Sequence, residues 1–90
     1  AFVRRREVRT LTTLGDIDAE IVEFEIGPSS RLAGEALASL TVPPGSIVAS
    51  ILRDGEVIIP TGASTLAAAD RIVVFTLPRA ARAVQRLFET

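Results

Sequence analysis

The chain has 90 residues, enough for one domain with a modest core, and its formal net charge is −1. It contains no Cys, His or Lys, which excludes disulfides, thiolate or imidazole metal ligands and P-loop chemistry within these residues. The near-neutral charge argues against nucleic-acid binding, and no apolar run reaches the roughly 18 residues that a membrane span requires.

Two extended segments begin the chain. Residues 7–14 are rich in Thr and β-branched side chains and predict a strand or an extended arm. Apolar and acidic side chains alternate in residues 19–26, which predicts a strand with one wet face. We therefore divide the chain into an N-terminal arm or linker strand (1–18) and a domain (19–90). Arg4–Arg6 in the arm fits a solvated chain end, with a phosphate or acidic-lipid contact as the alternative.

The segment after Gly27 and Pro28 predicts a helix. The turn from Gly27 to Ser30 also offers a serine for its N-cap position. Apolar side chains then recur at helical spacing, at Leu32, Ala33, Ala36, Leu37 and Leu40. We expect the helix to end before Pro43 and Pro44, because proline cannot continue it.

Residues 46–59 predict a β-hairpin. The first half, 46–52, is apolar on both faces, as a central strand would be. Asp54-Gly55 is a strong short hairpin signal, since both central positions of a type I′ turn need a positive φ. Residues 57–59 then return as the partner strand, which Pro60 ends.

The last third of the chain predicts a strand and a helix. Residues 71–76 form an apolar, β-branched run. Pro78 suits the first position of a helix. One face of that helix carries Ala80, Val84, Leu87 and Phe88. The predicted order is therefore strand, strand, helix, strand, strand, strand, helix.

The polar side chains indicate binding rather than catalysis. The paired acids Asp16/Asp18 and Glu23/Glu25 are not followed by a calcium-loop pattern, and the serines have no histidine to activate them. We therefore predict no catalytic residue, no metal site and no enzymatic activity. Arg53, which flanks the hairpin turn, is the first candidate to clamp a phosphate or carboxylate of a ligand, and Arg71 is the second.

A small core leaves several apolar side chains as candidates for a face that is exposed in the monomer. These are Ile47, Ile51, Val57, Ile59 and Phe75. Such a face predicts a homodimer interface.

Ordered motifs along the chain carry a family resemblance. The first half has Leu32-Ala33-Gly34, then Leu37 and Leu40, then Val42-Pro43-Pro44-Gly45. The second half has the run from Ile51 to Pro60, Leu66, the run from Asp70 to Phe75, and the ending from Val84 to Phe88. Together they resemble the TrkA C-terminal domain, also called RCK_C, over residues 19–89. One departure is Ala69-Asp70, where the family usually has Gly-Asp.

The resemblance implies an α+β fold, in which a mixed, largely antiparallel sheet packs with two helices, and dimerisation through the domain. The implied function is that of a cytoplasmic regulatory and ligand-sensing domain of a Trk/Ktr-type potassium uptake system. It would act at the inner face of the cell membrane through a transporter subunit, without direct membrane insertion. The alternatives are a purely structural dimerisation domain, or the regulatory domain of another cation transporter or antiporter.

The resemblance also implies ligands. Several relatives bind cyclic di-AMP at the dimer interface of this domain, and Arg53, Ile58 and Pro60 are the positions that we expect to contact it here. In full-length proteins of this family, NAD(H) or ATP/ADP binds a separate, Rossmann-like N-terminal domain, so the resemblance implies that nucleotide for such a domain. Residues 1–90 contain no counterpart of its glycine-rich motif. We expect no cofactor within the chain itself.

Overall fold

A five-stranded antiparallel sheet organises the chain. The computed structural model describes the backbone of residues 7–14 and 17–89, and side chains from residue 18 to residue 89. The strands are β1 (Glu7–Leu14), β2 (Ile17–Glu25), β3 (Ser46–Arg53), β4 (Glu56–Ile58) and β5 (Arg71–Thr76), and one α-helix, α1 (Ala81–Phe88), follows them. The sheet order is β1-β2-β5-β3-β4. The α+β class is confirmed. Each described strand pair is antiparallel, so this sheet is antiparallel rather than mixed.

The core lies on one face of the sheet. Apolar side chains alternate along β2 and β5 and are buried there, at Val22, Phe24, Ile72 and Val74. Helix α1 covers this face, and its Phe88 ring stacks on Phe24 with centroids 5.1 Å apart. Burying a side chain as large as Phe88 contributes about 1.5–3 kcal/mol. The core face of β2 and β5 is therefore covered by the chain itself.

The prediction of a first helix, after Pro28 and before Pro43, is wrong. Residues 31–40 form turns and a short 3-10 helix, Leu37–Ser39, because Gly34 has a φ of +91°, which no α-helix contains. The backbone here pairs with another loop: Gly34 N–H donates to Leu66 O, and Leu37 N–H donates to Ser64 O. Long-range backbone pairing has replaced the helix, and it directs Leu32 into the core.

The hairpin is confirmed. Strands β3 and β4 pair as predicted, with Arg53 opposite Glu56. The two turn residues, Asp54 and Gly55, have φ values of 51° and 77°, which fit a type I′ turn. Strand β4 is the short edge of the sheet on this side.

The second predicted helix is also confirmed, with a modified first turn. Pro78–Ala80 forms a 3-10 turn, and α1 continues from Ala81 to Phe88. Ala81, Val84 and Phe88 are buried. The predicted arm joins the sheet as β1, paired along its length with β2, while Arg4–Arg6 lie outside the described residues.

Candidate functional site

The face of the sheet opposite the core is the main candidate surface. Strand register places its side chains in three rows across the strands: Ile21, Phe75 and Ile47; then Glu23, Val73 and Ser50; then Glu25, Arg71, Leu52 and Val57. Among the described residues, Ile47 is 60% exposed, Val57 63% and Phe75 39%. We call this surface the open face. It is mostly apolar, which is unusual for sheet surface left in contact with water.

A shallow apolar pocket lies at one end of the open face. Its volume is about 380 Å³. It is lined by Ala19, Gly45, Ser46, Ile47, Phe75, Thr76 and Leu77. We call it the Phe75 pocket. The backbone of its rim is fixed, because Leu77 N–H donates to Gly45 O at 2.8 Å and ties the start of β3 to the end of β5.

A second groove runs beside the first part of β3. It has a volume of about 330 Å³, and its walls include Leu37, Val42, Pro60 and Thr61. Pro60, a predicted ligand residue, therefore borders a cavity. Ile58, another predicted ligand residue, is half-buried and packs against the core.

The prediction that Ile51 belongs to the exposed apolar set is wrong. Ile51 is 0% exposed and pairs with Ile72 in the core. Strict alternation along β3 would put Ile47 and Ile51 on the same face, but the register shifts between Val48 and Ser50. One extra residue, Ala49, therefore moves Ile51 to the opposite face from Ile47. Ile59, by contrast, is 76% exposed, just beyond β4.

Arg53 is held within the fold. Its Nε donates to Asp70 Oδ1 at 2.8 Å, and its Nη2 donates to Asp70 Oδ2 at 2.7 Å and to the Thr65 carbonyl at 2.9 Å. Asp70 is 1% exposed and also accepts from Ala67 N–H at 2.8 Å. The guanidinium thus joins the hairpin to the loop before β5, and a ligand would have to compete with Asp70 for it.

The environment of Asp70 sets its protonation. Burial alone would raise the pKa of this carboxyl, but hydrogen bonds from Arg53 and Ala67 N–H, together with the arginine charge, hold it below its ordinary value of 3.8. The same hydrogen bonds shift the partner in the opposite direction: the pKa of Arg53 is raised above its ordinary value, mainly by its hydrogen bond to Asp70. The pair is therefore ionised at neutral pH.

Sequence reasoning missed this pairing. Its partners are 17 residues apart, and nothing local connects them. The sequence held one hint of the turn that presents Asp70, namely Ala69 where the family usually has Gly. Ala69 has a φ of 72°, which suits the third position of a type II turn from Ala67 to Asp70.

Arg71, the second candidate ligand-binding arginine, lies on the open face with its Nη1 3.6 Å from Glu23 Oε1.

These features define a small α+β domain with a partly apolar exposed sheet face. The described residues hold no group of three or more acidic side chains placed to bind a metal ion. No helix within 17–89 has the length and apolar character needed to cross a membrane.

The chain belongs to the TrkA-C domain family, whose sequence model matches residues 21–89. It is 34% identical over 82 residues to the Trk system potassium uptake protein TrkA homolog 2 of Methanosarcina mazei, covering 91% of this chain and 18% of that protein. It is 33% identical over 86 residues to the Trk system potassium uptake protein TrkA of Azorhizobium caulinodans, covering 96% of this chain and 19% of that protein. The chain thus spans about a fifth of these relatives.

The fold is shared with a solved structure described as "Structure of RCK domain with cda". The TM-score is 0.65 at 20% sequence identity, and the match covers 77% of this chain and 97% of that one. The resemblance noted in the sequence is therefore confirmed for both family and fold.

Proposed function

We propose that this chain is the regulatory domain of a Trk-type potassium uptake system. The observation that carries the proposal is the family match over residues 21–89, together with relatives named as Trk system potassium uptake proteins. In the proposed setting the domain is cytoplasmic and non-catalytic and acts on a membrane transporter subunit through the full-length protein. NAD(H) or ATP/ADP would bind a separate N-terminal domain.

The domain would work as a homodimer through its open face. Ile47, Val57 and Phe75 lie on that face, and Ile59 lies at its edge. Pairing two copies would remove these apolar side chains from water, at about 25 cal/mol for each Å² buried. A regulatory change would then be a change in how the two copies sit against each other.

Cyclic di-AMP is the proposed effector of this dimer. The RCK domain solved "with cda" has the same fold, which supports testing a ligand of this class. Pro60 borders the groove beside β3, and Arg53 and Ile58 lie in the adjoining hairpin. A ligand can shift the dimer only by binding one arrangement more tightly than the other.

A purely structural dimerisation domain is the second candidate function. The observation that favours it is the engagement of Arg53, whose Nε and Nη2 are both used by Asp70. An arginine held in this way supports the fold whether or not a ligand is present. A regulatory domain of another cation transporter or antiporter would have the same geometry.

Calorimetric titration of the chain with cyclic di-AMP distinguishes a ligand-sensing regulatory domain from a purely structural dimerisation domain. The regulatory proposal predicts saturable binding that Pro60→Asp weakens, whereas Thr41→Asp, an exposed substitution outside the groove lining, leaves it unchanged. NADH and ATP serve as comparison ligands and should not bind. Absence of binding by all three, with an intact dimer, would favour the structural candidate.

The potassium system itself is tested in cells. Deleting residues 21–89 from the full-length protein should abolish regulation of rubidium influx, used as a tracer for potassium. Influx that keeps its normal regulation after the deletion would contradict the proposed function.

A further inference from the structure

The helical segment that ends the domain, residues 78–88, carries three arginines on its outer side. These are Arg79, Arg82 and Arg86, and all three are exposed. Their spacing of three and four residues places them on one side of a helix. The buried side chains of α1 belong to the opposite side, which packs against the core. We call this exposed surface the arginine row.

The arginine row is not neutralised by the described part of the chain. Within residues 18–89, the recorded ion pairs use Arg53 and Arg71, and no carboxylate pairs with an arginine of the row. Arg79 Nη1 instead lies beside Gly45, in the turn before β3. Three positive charges on one side of a short segment are therefore open to an external anion.

Charge is unevenly distributed along the domain. Residues 19–70 contain two arginines and seven acidic side chains, whereas residues 71–89 contain four arginines and one acidic side chain. An anionic surface would repel the first part and attract the arginine row. It would therefore bind the domain in one orientation, with α1 towards it and the open face, on the other side of the sheet, turned away.

The arginine row lacks the apolar centre that a specific protein partner needs. Protein interfaces depend on a few apolar or aromatic side chains packed at their centre, and exposed charge pairs contribute little. Leu87, the largest apolar side chain beside the row, is half-buried and packs against the core. A cavity of about 220 Å³ adjoins the row, and it is mostly polar. It is lined by Glu20, Pro78, Ala81, Arg82 and Gln85.

Anionic lipid headgroups match this surface better. A bilayer presents many phosphates in one plane, so it attracts basic side chains without shape complementarity. A guanidinium also binds phosphate oxygens through two parallel hydrogen bonds. The apolar side of α1 is already buried in the core, so the contact would stay at the headgroups without insertion. Such a contact is electrostatic and must weaken as salt is added.

We propose that the arginine row docks the domain on anionic lipid headgroups, with α1 against the bilayer and the open face left free. The inference rests on the proposed function, which puts the domain beside a membrane transporter subunit. It goes further by giving the domain a direct lipid contact of its own and a defined orientation.

Co-sedimentation with sucrose-loaded vesicles tests the contact. At low salt, the chain should bind vesicles of phosphatidylglycerol and phosphatidylcholine, and not vesicles of phosphatidylcholine alone. A tenfold increase in salt should release it. Arg82→Gln should lower the partition coefficient by about fivefold, and the triple glutamine variant of the row by about a hundredfold. Arg31→Gln removes the same charge from an exposed position outside the row and should change it by less than about twofold.

Two further variants test the mechanism and the orientation. Arg82→Lys keeps the charge, so it should bind within about twofold of wild type. The chain contains no cysteine, so Ala83→Cys on α1 and Ile47→Cys on the open face each give one site for a spin label. On anionic vesicles, the label at 83 should lose contact with a water-soluble relaxation agent, and the label at 47 should keep it. Circular dichroism should show that all variants remain folded.

The outcomes separate the inference from the proposed function. A chain that stays in solution beside anionic vesicles at low salt would overturn the lipid contact and leave the regulatory function, which rubidium influx tests, standing. Equal weakening by Arg31→Gln and Arg82→Gln would assign binding to overall charge and overturn the role of the row. Binding to polyglutamate without binding to vesicles would assign the row to an acidic protein in place of a membrane.

Discussion

Arg53 and Asp70 are joined by two hydrogen bonds, of 2.8 and 2.7 Å, that fasten the end of the β3–β4 hairpin to the loop before β5. The carboxylate is buried, while the arginine remains partly open to solvent. Asp70 also accepts from Ala67 N–H, and Arg53 also donates to the Thr65 carbonyl. One ion pair thus joins the hairpin to the loop before β5, which is also held by backbone hydrogen bonds to residues 34–38.

Removing Asp70 should destabilise the domain. Asp70→Ala removes both carboxylate acceptors of the Arg53 guanidinium, which keeps only the Thr65 carbonyl, and it leaves Ala67 N–H without its acceptor. We expect a loss of about 2–3 kcal/mol in the free energy of unfolding. Urea denaturation followed by circular dichroism measures it. Glu23→Ala is the matched control, because its contact with Arg71 is long and partly exposed, and it should cost no more than about 0.5 kcal/mol. Equal losses in the two variants would contradict the assigned role of Asp70.

The same carboxylate predicts a dependence of stability on pH. The folded state lowers the pKa of Asp70, so the unfolded chain takes up its proton first as the pH falls. The stabilisation is therefore complete above the ordinary value of 3.8 and is lost as the pH falls through the folded value. Urea denaturation between pH 7 and pH 2 should show wild type and Asp70→Asn converging in acid. A constant difference between them would contradict this origin.

Ala69→Gly should stabilise the domain. Ala69 has a φ of 72°, a conformation that costs a residue with a Cβ about 1–2 kcal/mol, and glycine adopts it without that cost. The greater freedom of glycine in the unfolded chain offsets about 0.4–1 kcal/mol of this, so the net gain in the free energy of unfolding should be up to about 1.5 kcal/mol. The neighbouring Ala68→Gly has no positive φ to relieve and should destabilise. Thermal denaturation measures both, and a lower melting temperature for Ala69→Gly would contradict the prediction.

Substitutions of two phenylalanines should have different effects, one on the stability of the monomer and the other on self-association. Phe88 is buried against Phe24, so Phe88→Ala should cost about 3–5 kcal/mol of unfolding free energy. Phe75 is 39% exposed on the open face, so Phe75→Ala should cost clearly less in the monomer and mainly weaken pairing. Denaturation at low protein concentration gives the first effect, and sedimentation gives the second. A greater loss of monomer stability in Phe75→Ala than in Phe88→Ala would contradict the placement of the core.

The sequence was informative wherever local signals decided the structure. The hairpin followed from Asp54-Gly55, the second helix from Pro78 and its apolar spacing, and β2 from strict alternation. Residues 31–40 could not be predicted in this way, because a helical apolar pattern was overridden by backbone pairing with residues 62–66. The Arg53–Asp70 pair depends on a contact across 17 residues, which spacing alone does not reveal.

The prediction that Ile51 is exposed was wrong for a reason other than a missing long-range contact. Its assignment assumed regular alternation along β3, and a single shift of register is enough to reverse the face of every later residue. Ile47, Val57, Ile59 and Phe75 were correctly expected to be exposed, but their role in pairing stays a prediction.

The register shift at Ala49 also shapes the outer surface of the domain. The extra residue leaves Ile47 on the open face while Ile51 is buried in the core, so β3 contributes apolar side chains to both sides of the sheet. Without that residue, regular alternation along β3 would have to expose Ile51 or bury Ile47.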